Sequence, residues 1–255
     1  MSARLYHIVV AAGLCTLVCA ATATPAPAVL IDDFQEATNT KSIPPTQVTE
    51  TVQGSSTSAT DTGLPGVVGG VRTVVVSASL IGDPSEYVNA GVDTFSTAIC
   101  YNSTDNADGS VALIYDKGGL GLDLDLSEES GLLLIPLGVD PGSGTGEISY
   151  TLTLEDSVHN VVSSSITNTE VCIGTSCHPI HIPFANFLGI DLRHLFRVTL
   201  TLDPSPAADV ALATVVTYGS HLGTPLLSPG LLGMLVAILA GVGLVDQLRR
   251  RATRD

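Results

Sequence analysis

Short runs of branched and aromatic residues, separated by Gly, Pro, Asp and Asn, recur along most of this chain, and many of them alternate apolar with polar. In 147–154 the alternation is cleanest: Ile148, Tyr150, Leu152 and Leu154 share one face of an extended strand, and Ser149, Thr151 and Thr153 share the other. A period of two with one apolar face marks a half-buried strand. Comparable runs occupy 29–34, 67–76, 94–101, 110–115, 131–136, 158–166, 178–184, 196–202 and 209–218. No helical period is sustained between residues 29 and 222, and many short strands at turn-bounded intervals predict an all-β fold, an antiparallel β-sandwich of jelly-roll type. Gly69 and Gly70 suggest a bulge within the run at 67–76, residues 188–195 a short helix or turn, and Gly142 to Gly146 a hairpin turn. The Ser/Thr/Pro-rich stretch 36–64 has no period and is expected to be loop-rich.

Both ends break the pattern. Residues 229–248 are almost uniformly apolar, long enough at 1.5 Å per residue to cross a hydrocarbon core of about 30 Å. Ser228 is a natural N-cap, Pro229 suits the first helical position, and Arg249, Arg250, Arg251 and Arg254 follow as a positive cytoplasmic flank. At the other end, Arg4, an apolar run over 8–21 and the small residues Ala21, Ala23, Ala26 and Ala28 read as a signal peptide. The expected organisation is a signal peptide at 1–28, a β-sandwich ectodomain at 29–222, and an anchor segment at 224–255 with a transmembrane helix at 229–248. The ectodomain is then exported, in the periplasm or at the cell surface.

Charge narrows the partners. The net charge is −15, and of ten basic residues only Lys41, Arg72, Lys117, Arg193 and Arg197 lie outside the two ends. All carboxylates except Asp246 and Asp255 lie between Asp32 and Asp209. A surface this acidic repels phosphate backbones, which argues against nucleic acid, and attracts cations. Asp123, Asp125, Glu128 and Glu129 are a candidate calcium cluster in an oxygen-rich turn, although their spacing is not that of an EF-hand loop. No other cofactor is implied.

Cys172 and Cys177 flank a four-residue loop between strand-like runs and are read as a disulfide, with Cys100 a buried thiol. His178 and His181 raise two rival readings, a metal site and covalent haem on Cys172-x4-Cys177-His178. If Ile180, Ile182 and Phe184 face the core, His178 shares their face and His181 takes the other, so the two cannot easily grip one ion. The chain has no Gly-x-Ser-x-Gly, no His-Glu-x-x-His and no Trp. Aromatic platforms for sugars would have to come from tyrosines such as Tyr87, Tyr101 and Tyr115.

Two resemblances rest on particular residues. Pro225, Leu227 and Ser228, then Pro229, one apolar helix and the cluster Arg249, Arg250 and Arg251, resemble the PEP-CTERM and IPTL-CTERM sorting signals of Gram-negative bacteria. Thr224, Leu226 and the Gly230-Leu231 pair depart from that motif. The resemblance implies an exported protein and recognition by an exosortase-type membrane peptidase. Ile31-Asp-Asp-Phe34, Val68-Gly-Gly-Val-Arg72, Leu113-Ile-Tyr-Asp116 and Ile182-Pro-Phe-Ala-Asn-Phe187 have the order and spacing of exported sandwiches that look similar to carbohydrate-binding modules. The expectation is a membrane-anchored or surface-sorted, non-enzymatic β-sandwich associated with extracellular polysaccharide. The rivals are a secreted enzyme acting on polysaccharide and the Cys/His metal or haem protein.

Overall fold

The computed structural model describes residues 28–35, 47–93, 97–140, 147–173 and 176–219. The alternating runs become strands of two antiparallel sheets packed face to face. In chain order the strands are β1 (Leu30–Asp32), β2 (Gln47–Glu50), β3 (Ser56–Thr62), β4 (Val71–Ile81), β5 (Val88–Asp93), β6 (Ala98–Ser103) and β7 (Ala107–Tyr115). They continue with β8 (Glu129–Asp140), β9 (Ile148–Asp156), β10 (Val161–Asn168), β11 (Cys172–Ile173), β12 (Ile180–Pro183), β13 (Leu195–Pro204) and β14 (Asp209–Gly219). One sheet runs β10-β9-β13-β7-β4-β3; the other runs β11-β8-β14-β6-β5-β2, with β1 added to β14 and β12 to β8. Ala28–Gly219 is a compact unit.

The core lies between the sheets and follows the alternation. Ile148, Tyr150, Leu152 and Leu154 of β9 bury against Val198, Leu200 and Leu202 of β13 and Val111, Leu113 and Tyr115 of β7. From the facing sheet come Leu132, Leu134, Val210, Leu212, Tyr101, Val88, Ala90 and Val92. Neighbouring strands keep their buried residues in common rows, because a slip of one residue would send a whole apolar set to solvent.

One charged pair lies inside this core. Arg72 Nη1 donates to both carboxylate oxygens of Asp32 at 3.0 and 2.9 Å, and the Tyr115 hydroxyl donates to Asp32 Oδ2 at 3.0 Å. The Phe34 amide closes a tight turn onto Oδ1 at 2.8 Å, the Phe34 ring lies 5.6 Å from the guanidinium, and Asp61 takes the other nitrogen. Burial lifts the Asp32 pKa, against the pull of the Arg72 charge and its hydrogen-bond donors. Asp32 belongs to one sheet, Arg72 and Tyr115 to the other, so the cluster staples the two layers. Three of the four sequence stretches quoted above, 31–34, 68–72 and 113–116, converge here.

A second buried carboxylate shapes the β9–β10 turn. Asp156 accepts from the amides of Val158 (3.0 Å) and Asn160 (2.9 Å), from the Asn160 side chain (2.9 Å) and from the Asp191 amide (3.4 Å). Burial pulls its pKa up, but the donors from Asn160, Asp191 and Val158 outweigh burial and hold it below the ordinary value.

Several elements depart from the sequence pattern. β2 and β3 form within the stretch expected to be loop-rich. β3 is almost all Ser and Thr, and its place comes from pairing with β4 over Ser56 to Thr62. β4 starts at Val71 rather than 67, because Gly69 and Gly70 take φ of 70° and 69° in a short 3-10 turn, a conformation open to glycine. β5 arises in a segment with no marked alternation, and residues 188–193 form turns. Among the described residues no helix is long and apolar enough to cross a membrane. The signal segment, the predicted turn at 142–146 and the helix at 229–248 lie outside the described residues.

Replacing Arg72 with Met strands the Asp32 carboxylate in the core, and the expected loss is about 3–5 kcal/mol in urea denaturation, whereas a joint apolar replacement of Arg72 and Asp32 costs less. Asp156→Ala removes the acceptor that gathers these turn donors and is expected to lower the urea midpoint at neutral pH. Because the folded pKa of Asp156 is depressed, its contribution is full above the unfolded value and fades as pH falls through the folded one. The gap between wild type and the Asp156→Ala protein in urea titrations therefore narrows in acid.

Candidate functional site: the outward face of the six-stranded sheet

Residues that alternate with the core stand on the outside of the sheet, and on β9, β10 and β13 they are almost all hydroxylic. Register places Ser163, Thr153 and Thr199 in one row, Ser165, Thr151 and Thr201 in the next, and Thr167, Ser149 and Asp203 in a third. The rows continue across β7, β4 and β3 as Ile114, Thr73 and Thr60, then as Ala112, Val75 and Ser58. With strands about 4.8 Å apart, six strands span about 24 Å, and hydroxyls along a strand recur about every 6.8 Å. Neighbouring hydroxyls lock one another: Thr151 to Ser165 and Thr153 to Ser163 at 2.7 Å, and Thr60 to Thr73 at 2.9 Å. Each pair uses one proton and leaves lone pairs and a second proton for a ligand. The surface is a polar grid held on three continuously paired strands.

The grid opens into a trough of about 340 Å³ lined by Gly54, Ser55, Ser56, Ser77, Ala78, Ser79, Gly109, Ser110 and Asp203. A register shift between Ala78 and Leu80 in β4 shapes it. Gly109 is required there, since a Cβ at that position would lie 2.2 Å from the Ser77 carbonyl oxygen. Asp203 supplies the trough's carboxylate. Partial desolvation, then the charge of nearby Asp108, raises its pKa. Asp108 itself accepts from the Ser79 hydroxyl at 3.0 Å.

One guanidinium stands at the border of the face. Arg197 bridges Glu155 (3.1 Å) and Asp116 (3.3 Å), and Phe196 packs edge-on against His159 with ring centres 5.0 Å apart. The outer side of the other sheet is different in kind. Asp140, Asp209, Asn102, Asn89 and Thr49 form a polar row across it, with Asn102 donating to Asn89 at 3.0 Å. Asn89 is only 9% exposed although it points away from the core, so that part of the row is closed to solvent. Near the end of β14, Tyr218 lies over Gly131 and meets His181 edge-on at 5.1 Å; a Cβ at Gly131 would strike the Tyr218 ring.

The candidate residues from sequence separate clearly. Cys172 and Cys177 are joined in a disulfide with Cα atoms 4.9 Å apart, and Cys100 is half-buried on β6. His178 is exposed rather than core-facing, because its ring nitrogen and amide are both held by Glu170, and the hydrogen bond from His178 lowers the Glu170 pKa. His181 points outward, as the alternation requires. Asp123 turns to His194 at 3.2 Å, Asp125 accepts from the Ser127 amide at 2.9 Å, Glu128 is exposed, and Glu129 begins β8. Among the described residues no three His, Cys, Asp or Glu side chains gather as metal ligands. Tyr101 and Tyr115 are not stacking platforms: both are buried, Tyr101 donating to the Gly109 carbonyl at 2.9 Å and Tyr115 to Asp32. Tyr87, 37% exposed, is not so excluded, and Tyr218 is an outward tyrosine that the sequence reading missed. Pro225, Leu227, Ser228, Pro229, Arg249, Arg250 and Arg251 lie outside the described residues.

No family model matches this chain, and no curated protein matches it in sequence. Among solved structures, a family 11 carbohydrate-binding module from Clostridium thermocellum, in complex with a β-1,3-1,4-mixed-linked tetrasaccharide, is 14% identical over 77% of this chain and 98% of that one, with a TM-score of 0.37. TmCBM61 in complex with β-1,4-galactotriose is 12% identical over 58% and 88%, with a TM-score of 0.33. A family 29 module is 14% identical over 69% and 96%, at 0.31.

Gly109→Ala pushes a methyl into the Ser77 carbonyl and is expected to cost about 1–3 kcal/mol, read by thermal unfolding. Reduction of the Cys172–Cys177 bridge opens a short loop, and the expected loss is about 2 kcal/mol with the circular dichroism spectrum retained.

Proposed function

We propose that this chain is a non-catalytic, carbohydrate-binding β-sandwich that lies against a neutral extracellular polysaccharide through the hydroxyl face of β10, β9 and β13 and the adjoining Ser/Asp trough. The observation that carries the reading is the three-by-three grid from Ser163 to Asp203, in which eight of the nine side chains are Ser or Thr. Such a face offers donors and acceptors at a fixed repeat, which suits a polymer of repeating hydroxyls crossing the strands. Neutral rather than anionic polymers are favoured, because the chain carries −15 net charge and the basic residue bordering the grid, Arg197, is tied to Glu155 and Asp116. Each hydroxyl contact contributes little alone, so affinity grows with the length of polymer engaged.

One observation favours the enzymatic rival. Asp203 has a raised pKa beside a second carboxylate, the electrostatic half of a glycosidase pair. Its side chain is exposed at the trough mouth, where water screens it, and the binding reading is preferred for that reason.

Tethering belongs to the same proposal: the anchor segment at 224–255 holds the sandwich at the envelope or passes it to an exosortase-type peptidase. The intact mass of protein from native membranes tests this. A mass lacking the arginine tail marks processing, a mass retaining it marks a simple anchor, and purely cytosolic recovery refutes export.

In affinity gels or pull-downs, neutral polysaccharides such as cellulose, xylan and mixed-linkage β-glucan should retain the protein, and alginate should not. Thr151→Val with Thr201→Val should weaken retention roughly tenfold without loss of stability, since two hydrogen bonds of about 0.5–1.5 kcal/mol are removed. Failure of every neutral polymer, or retention indifferent to these changes, sinks the reading. Release of reducing sugar that vanishes in Asp203→Asn would establish the enzyme instead.

A further inference from the structure

We propose that the outer edge of β10 pairs with the same edge of a second copy of this chain, making a two-fold dimer in which the two six-stranded sheets become one. β10 is a sheet edge whose sheet neighbour among the described residues is β9. All eight of its residues pair with β9, from Val161 opposite Glu155 to Asn168 opposite Ile148, with no bulge. Its sequence has no charge, no Pro and no Gly, so none of the usual devices that blunt an edge is present. The other edges are blunted: β2 and β12 have four residues each, with Glu50 and Pro183 in them, β11 has two, and β3 carries Asp61. An unguarded edge of this length presents a row of amides and carbonyls that a further strand satisfies.

The occupant is identified by self-complementarity. A two-fold axis through Ser164, normal to the sheet, runs the two strands antiparallel and keeps their outward faces together. Val162 then lies opposite Ile166, Ser163 opposite Ser165, and Val161 opposite Thr167, so no like charges meet. Exposed valines stand at both ends of the strand, Val158 (73% exposed) before it, Val161 (58%) at its first position and Val171 (68%) after it. The antiparallel arrangement brings the leading end of one strand to the trailing end of the other, so Val158 of one copy approaches Val171 of the second. For a chain of net charge −15 a homotypic contact must avoid free carboxylates. Glu155 is held by Arg197 and His159, and Glu170 by His178. The pairing also extends the hydroxyl grid across the axis, doubling the length over which one polymer is engaged.

Sedimentation and oxidative cross-linking of the full chain in detergent test the proposal. The expected wild-type species has twice the protomer mass. Ser163→Lys with Ser165→Lys sets lysines against lysines across the axis and should raise the dissociation constant at least tenfold, with the circular dichroism spectrum of the folded protomer retained. Under mild oxidant, Ser164→Cys, which meets its own copy on the axis, should form a disulfide-linked dimer at least ten times faster than Ser127→Cys, a cysteine placed in an exposed turn away from β10. A wild-type chain that stays monomeric at every concentration, a dimer indifferent to the two lysines, or cross-linking at position 127 as fast as at 164 overturns it.

Discussion

The contact between Arg72 and Asp32 is the constraint on which the rest of this sandwich depends. Two ions in a dry core lose their hydration, and the loss is tolerated only where donors converge as they do here, from the guanidinium, the Tyr115 hydroxyl and the Phe34 amide. The geometry demands that β1, which belongs to one sheet, face β4 and β7 of the other at one relative position. Once Arg72 points inward, Val74 and Val76 follow it into the core, and Thr73, Val75 and Ser77 are sent outward. Register carries that choice through β7, β13 and β9. The hydroxyl face is thus the far side of a decision made in the core.

That dependence explains what the sequence made legible. The alternation in 147–154 reads directly as a strand because apolar burial imposes it. The same stretch also states its outward residues, but Thr151 and Thr153 acquire meaning only when Thr201, Thr199, Ser165 and Ser163 come alongside from strands distant in the chain. β3 was illegible because Ser-Thr-Ser-Ala-Thr-Asp-Thr has no apolar face, and its strand character is conferred by β4. The tyrosines misled for a related reason. Composition cannot tell whether an aromatic side chain falls on the inward or outward phase, and Tyr101 and Tyr115 fell inward while Tyr218 fell outward over a glycine. His178 escaped the alternation because it precedes β12 and is captured by Glu170.

Site and scaffold share one logic. Under the proposed function, a binding face built from strand side chains is preorganised by the sheet, so a polymer settling on it would cost little conformational entropy. Short hydroxyls lack the reach and stacking area of aromatic rings, and the expected compensation is repetition across strands rather than a deep pocket. The trough at Ser77, Ser110 and Asp203 adds one charged acceptor to an otherwise neutral surface.

The account stands on the claim that the six-stranded sheet presents the binding face. Amide NMR of the protein titrated with oligosaccharides of its most strongly retained neutral polymer locates that face directly. Shift changes clustered on β9, β10 and β13 and at the trough residues are the predicted result. Changes confined to the outer side of the other sheet, around Tyr218, His181 and Asn102, would contradict it.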